Sequence, residues 1–352
     1  MSATRSAALP SAPPRETRSL TEEAPGRLLP ATDAPVLVAH RGASGYRPEH
    51  TLPAYELAAR MGADYLSVDV TVTRDGQLVA RHECELSATT DVASRPEHAG
   101  RRALHKVDGY LVRGWFVEHL TLEQVRALRV VERYPHLRHG SVAYNGLLAV
   151  PTLGEVLGLR RRLADQLGRP LGVLLQLRSP GHLVEQGLDP VCRLVELLRA
   201  DGLDRPDAPV VVVSDDLRTL ERVRGLGCRV PLHLRVQVGE HRAALRDLAA
   251  SARIVTGLQP DKQLVRPRRL DGTLGAPTGL VQDAHAAGLV VIPWVFRAEN
   301  AFLPEELRRG EDDSRLGRAA DEIRAFLAAG VDGFCTDHTD RGVLARRAGE
   351  FD

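Results

Sequence analysis

Residues 36 to 83 read VLVAHRGASGYRPEHTLPAYELAARMGADYLSVDVTVTRDGQLVARHE. The stretch opens with an apolar run, VLVAH (36–40), too short for a buried helix and rich enough in branched residues for a buried strand. TLPAYELAARMG follows with apolar residues at spacings of three and four, the pattern of an amphipathic helix. YLSVDV (65–70) then repeats the strand signal. Asp75-Gly76 in TRDGQ supplies the positive-φ geometry of a tight hairpin, so LVARHE should run back along the second strand. A strand, a helix and a second apolar strand in this order predict a parallel pairing buried on both faces.

The same alternation continues outward to the C-terminus. Further buried strands are predicted at LGVLLQL (171–177), PVVVVS (209–214), VPLHLRV (230–236), IVTGL (254–258), LVVIPWV (289–295) and VDGFCT (331–336), which makes eight in all. Helical patterns follow most of them, in DDLRTLERVRGLG, EHRAALRDLAASA, TGLVQDAHAAG and SRLGRAADEIRAFLAAG. Eight β/α units predict an α/β fold of the TIM (β/α)8 barrel class, and the dinucleotide-fold alternative lacks its glycine fingerprint after the first strand. Residues 84 to about 120 show no clear period and read as an insertion, a lid or substrate loop beside the catalytic face. Its Trp115, Phe116 and Arg113 are candidates for choosing the substrate's head group.

Residues 1 to 34 are rich in Ala, Pro, Ser, Thr and charge without periodicity, and are expected to form a disordered tail ahead of one domain spanning 35–352. The 47 basic and 46 acidic residues leave the chain nearly neutral, unlike a nucleic-acid binder. Only Lys106 and Lys262 are lysines, so 45 of the 47 basic residues are arginines. No run is long enough to span a membrane or to serve as a secretory signal, which gives the expectation of a cytoplasmic protein with no integral membrane segment. Cys84, Cys192, Cys228 and Cys335 lie far apart and read as free thiols.

In a barrel the chemistry gathers at the C-terminal strand ends. Here those ends carry His40-Arg41, Asp69, the returning His82-Glu83, Gln176 with Arg178, Trp294 with Arg297, and Asp337-His338. Two histidines can take a proton from a nucleophile and give one to a leaving oxygen, and two arginines can hold a phosphate through paired N–H donors. His40, Arg41, His82 and Arg178 are therefore the candidate catalytic and phosphate-binding set.

The 36–83 stretch, with HRG, PEHT, GAD, TRDG and the following His in order, resembles the signature of the glycerophosphodiester phosphodiesterases. TTDV (89–92), GVLLQLRSP, VQDAHAAGLVVIPWVFR and AAGVDGFCTDHTD extend the resemblance over roughly residues 36–345. It implies a TIM barrel that cleaves glycerophosphodiesters, small-molecule substrates, to glycerol 3-phosphate and an alcohol with a divalent metal, Ca²⁺ or Mg²⁺. It further implies His40 and His82 as acid and base, Arg41 and Arg178 as phosphate ligands, Asp69 and Glu49 at the metal, and Trp294 as a pocket wall. The chain departs from the family pattern at Ser67 and Gln176, where two metal-binding Glu residues are usual, and at Glu83, where Asp is usual. Replacing two carboxylates by a hydroxyl and an amide should weaken a hard-cation site.

Three readings follow: a phosphodiesterase with a weakened metal site, a non-catalytic barrel that binds a phosphorylated ligand, or a metal-independent reaction on the same scaffold. Ser67 has no neighbouring base to make it a nucleophile, and His136 and His139 have no carboxylate or cysteine partner to make a zinc site.

Overall fold

The computed structural model describes residues 34–239 and 242–347. Eight parallel strands form a TIM-like barrel: β1 (Val36–His40), β2 (Tyr65–Val72), β3 (Gly172–Leu177), β4 (Val210–Ser214), β5 (Leu232–Val236), β6 (Gly257–Pro260), β7 (Val290–Val291) and β8 (Gly333–Thr336). Neighbours pair in chain order, and β8 returns to β1 with Ala39 opposite Thr336. The β7–β8 seam is held by Asp332 N–H to Val291 O at 3.0 Å, Cys335 N–H to Pro293 O at 3.0 Å and Phe296 N–H to Cys335 O at 2.9 Å. The expected tail, 1–34, lies outside the described residues except for Ala34.

Strand alternation divides the core in two. Leu37, Leu66, Val68, Val173, Leu175, Val210 and Val212 face outward and join the layer under the helices. Val36, Val38, Tyr65, Leu174, Val211, Val213, Ile292 and Cys335 fill the barrel interior. Gly172 makes room there, since a Cβ at that position would lie 2.2 Å from the Tyr65 ring. The same inward parity carries His40, Ser67, Asp69, Gln176 and Arg235 at the upper ends of their strands. The fold therefore positions the site by continuing a packing pattern.

The helices begin where short polar side chains cap them. Thr51 accepts from Ala54 N–H ahead of Leu52–Met61, and Thr152 with Glu155 forms a capping box ahead of Leu153–Leu167. Three expectations shift, the first being the strand predicted at 289–295, of which only Val290–Val291 is strand. The strand predicted at 254–258 occupies Gly257–Pro260, because Val255, with Ile254 partly buried beside it, packs into the core at the turn following the helix Leu248–Ser251. The helix predicted across 240–252 is interrupted at Asp247, whose side chain accepts from Ala250 N–H and starts a new turn.

The insertion is more ordered than its aperiodic sequence suggests. Short 3-10 turns at Val92–Ser94, Pro96–Arg101 and Val117–His119 flank an antiparallel hairpin, Ala103–Val107 with Tyr110–Gly114. Asp108 and Gly109, both at positive φ, make its turn. Asp108 accepts from the Ser179 hydroxyl at 2.6 Å, tying the hairpin tip to the loop after β3. Phe116 is buried against the rings of His105, His119 and His182, and the Trp115 indole N–H donates to His98 O. Those two aromatics hold the insertion together, and Arg113 lies exposed on the hairpin.

Candidate active site

The first strand ends in an unusual turn. Arg41 and His50 both adopt positive φ, at 59° and 56°, a region costly for residues with a Cβ. Gly42, at 87°, has no such cost, and a Cβ there would lie 2.6 Å from the Ala54 backbone. The Arg41 carbonyl accepts from His50 N–H at 3.1 Å, so the two strained residues brace one another. The turn directs both side chains onto Asp69 of β2: Arg41 Nε lies 3.1 Å and His50 Nε2 2.9 Å from Asp69 Oδ2.

The two candidate catalytic histidines are built alike. His40 Nδ1 is 2.7 Å from Asp337 Oδ1, and His82 Nδ1 is 2.6 Å from Glu83 Oε1. A carboxylate on Nδ1 keeps the proton there in the neutral ring and leaves Nε2 as the free acceptor. Burial, Arg41 and an incomplete offset from Asp337 push His40 down to about 4. Burial together with Arg41 and Arg178 pushes His82 down to about 3. Both imidazoles are therefore neutral at pH 7 in the free protein.

Asp337 and Glu83 are themselves held in place. Asp337 also receives Arg138 NH2 at 2.5 Å and Arg297 Nε at 2.9 Å. Arg133, a residue that the sequence did not single out, donates to Glu83 and to Glu49 with every bond at 2.7–2.8 Å. Glu49 also accepts two bonds of 3.1 Å from Arg41. Burial opposes ionisation of Glu49, but Arg41 and Arg133 outweigh it and hold the carboxyl well below its usual range. Arg178 is anchored through Nε to the His82 carbonyl at 3.0 Å, with NH1 3.9 Å from Asp215. His40, Arg41, His82, Arg178, Asp69 and Glu49 thus belong to one connected neighbourhood.

The donor set does not fit a hard divalent cation. The Glu49 carboxylate is engaged by two guanidiniums, and one Asp69 oxygen is engaged by Arg41 and His50. Gln176 Oε1 accepts from Arg235 NH1 at 2.6 Å. Ser67 contributes only a neutral hydroxyl. A Ca²⁺ or Mg²⁺ ion draws its affinity from anionic oxygens, and here those oxygens already face fixed positive charge. Among the described residues, the group with metal-ligand spacing is instead Cys84, Glu118 and His182, under the insertion. Trp294, expected as a pocket wall, lies face-on to Arg235, whose Cζ is 3.7 Å from the ring centre.

One buried cation near this network has no hydrogen-bond partner among the described residues. Arg81 is 1% exposed, and none of its three guanidinium nitrogens is bonded. Burial lowers its pKa despite the nearby charges of Glu49 and Glu83. Leaving such donors unpaired costs free energy, so Arg81→Met should raise unfolding stability by about 1–3 kcal/mol. Urea denaturation checks this, and a lowered midpoint would mean that the guanidinium supports the network through its charge.

Comparison with known proteins brings one family forward. The sequence profile of the glycerophosphoryl diester phosphodiesterase family matches residues 40–341. A glycerophosphodiester phosphodiesterase of Arabidopsis thaliana is 28% identical over 333 residues, covering 88% of this chain and 85% of the plant protein. One from Haemophilus influenzae is 27% identical over 198 residues, 54% of this chain and 52% of that protein, so the match spans about half of this bacterial relative. A Silicibacter pomeroyi crystal structure described as a glycerophosphoryl diester phosphodiesterase superposes with a TM-score of 0.65 at 24% identity, covering 91% of this chain and 95% of the other, and supports the fold.

Proposed function

Since the chain belongs to the glycerophosphoryl diester phosphodiesterase family, which generally uses a divalent metal, we propose that it cleaves glycerophosphodiesters to glycerol 3-phosphate and an alcohol. The observation that carries this reading is the matched pair of histidines, each with Nδ1 on a carboxylate and Nε2 free, beside Arg41 and Arg178. A spent binding scaffold has no physical need for two such carboxylate-oriented imidazoles.

In the proposed reaction an oxygen nucleophile, water or the neighbouring glycerol hydroxyl, forms a bond to phosphorus as its proton passes to Nε2 of one histidine. The bond from phosphorus to the alcohol oxygen breaks, and that oxygen takes a proton from Nε2 of the other. Attack turns the diester monoanion into a phosphorane with one more negative charge, which Arg41 and Arg178 are positioned to offset. If attack is by the glycerol hydroxyl, water then opens the cyclic ester to the monoester.

The test is release of glycerol 3-phosphate from glycerophosphocholine and related diesters, and its pH profile has a defined sign. The acid partner must be protonated, and in the free enzyme the pair titrates near 3 and 4. Because kcat/KM reports the free enzyme, it should fall about tenfold per pH unit above about 4. The profile of kcat should extend to higher pH, because the bound phosphodiester anion favours the imidazolium. A kcat/KM profile flat from pH 5 to 7 would count against acid catalysis by this pair. Absence of glycerol 3-phosphate from every diester, with folded protein, would remove the reading.

A further inference from the structure

We propose that Arg235, held by Gln176, joins Arg41 and Arg178 in meeting the phosphate and takes the place of a divalent metal, so that turnover needs none; this rests on the phosphodiesterase reading above. Arg235 projects from β5 into the barrel mouth, 6% exposed, and Gln176 projects from β3, 5% exposed. The Gln176 carbonyl fixes one arm of the guanidinium at 2.6 Å, and the Trp294 ring supports its face at 3.7 Å. Gln176 thus orients the cation without cancelling it. A glutamate at 176 would instead neutralise Arg235 in a buried ion pair.

Two further observations point to an anionic ligand. Among the described residues no carboxylate lies within ion-pair distance of Arg235, whose charged neighbours are Arg178 and Arg41 and, farther off than an ion pair, Asp69 and Asp215. Arg235 Nε and Gln176 Nε2 are buried donors with no acceptor among the described residues. Asp69 and Asp215 offset only part of the cost of burying this guanidinium beside Arg178 and Arg41, so an arriving anion is favoured. A phosphodiester supplies both the negative charge and the acceptor oxygens. Burial and Arg178 bring the Arg235 pKa down to about 10, which leaves the group charged at pH 7. The guanidinium can therefore receive the developing phosphorane charge with fixed, preorganised donors.

The experiment has two readouts, turnover and ligand-induced thermal stabilisation, each with chelator, with Ca²⁺ and with Mg²⁺. In chelator the wild-type protein should turn over glycerophosphodiesters at the rate seen with metal, and sn-glycerol 3-phosphate should raise its melting temperature. Arg235→Met should lower kcat by about 10²–10³-fold and abolish the stabilisation, and Arg235→Lys should restore part of both. Gln176→Glu should fold normally and, in chelator, bind sn-glycerol 3-phosphate at least tenfold more weakly. Turnover that is lost in chelator and restored by either metal would overturn the inference while leaving the phosphodiesterase reading intact. If no diester is cleaved under any condition, the activity reading fails. The anion site then stands on stabilisation in chelator that is lost in Arg235→Met, and falls if the variant is stabilised equally.

Discussion

His40→Ala should lower kcat by about 10²–10⁴-fold while leaving the melting temperature nearly unchanged. The kinetic loss follows from the proposed role of His40 as one of two proton carriers. Stability survives because Asp337, the carboxylate that His40 leaves behind, keeps Arg138 at 2.5 Å and Arg297 at 2.9 Å. The double variant His40→Ala/His82→Ala should be little worse than either single one, since the two imidazoles act as a unit. Steady-state assay of the three variants beside calorimetry separates the two effects. Retention of more than a tenth of the wild-type kcat in His40→Ala would mean that it does not carry a proton. A large drop in melting temperature would make it a structural residue.

The other large effect is on folding. Arg133→Met should destabilise the protein by about 3–5 kcal/mol, the range for removing one partner of a buried ion pair. Its guanidinium joins Glu49, whose side chain is 5% exposed, to Glu83, and Arg41 alone cannot occupy all four carboxylate oxygens. The pH dependence has a definite sign. Burial works against both carboxylates, yet Arg41 and Arg133 depress Glu49, and His82 with Arg133 depresses Glu83. A depressed folded-state pKa gives stability that is fully present above the unfolded value, 4.5, and is lost as pH falls through the folded one. The gap between wild type and Arg133→Met should therefore be widest above about pH 5 and narrow below it. Denaturation midpoints between pH 3 and 7 measure this. A gap that widens on acidification would show that the ion pairs are not its origin.

Strand order and the barrel were legible because buried parallel strands read as largely apolar runs, and β1 to β5 are such runs apart from inward-facing polar residues such as Ser67, Gln176 and Arg235. β6 was misplaced because hydrophobicity marks burial without marking backbone conformation: Val255 is buried and Ile254 partly buried, yet both precede the strand. The insertion's hairpin was missed although Asp108-Gly109 is a strong turn signal. Its flanks mix charged, histidine and apolar residues on one narrow ribbon, so the period-two pattern is weak.

Within the site, His40, Arg41, His82 and Arg178 stood out because each ends an apolar strand or follows one directly. Arg133 did not, because it comes from a loop after the insertion, and one more arginine among 45 carries no local signal. His50 was passed over inside PEHT, where its link to Asp69 depends on a positive-φ backbone. Arg235 could have been found. A charged residue inside the otherwise apolar VPLHLRV must either break the strand or face a polar interior, and here it faces the barrel mouth.

His40 on the first strand takes its orientation from Asp337, 297 residues further along, just beyond the last strand. On a ribosome the histidine emerges 297 residues ahead of its carboxylate partner. Growing chains that stop anywhere short of the eighth strand hold a histidine with no fixed tautomer and a barrel with no seam. Closing the cylinder and orienting this imidazole are therefore a single event in the folding of the chain.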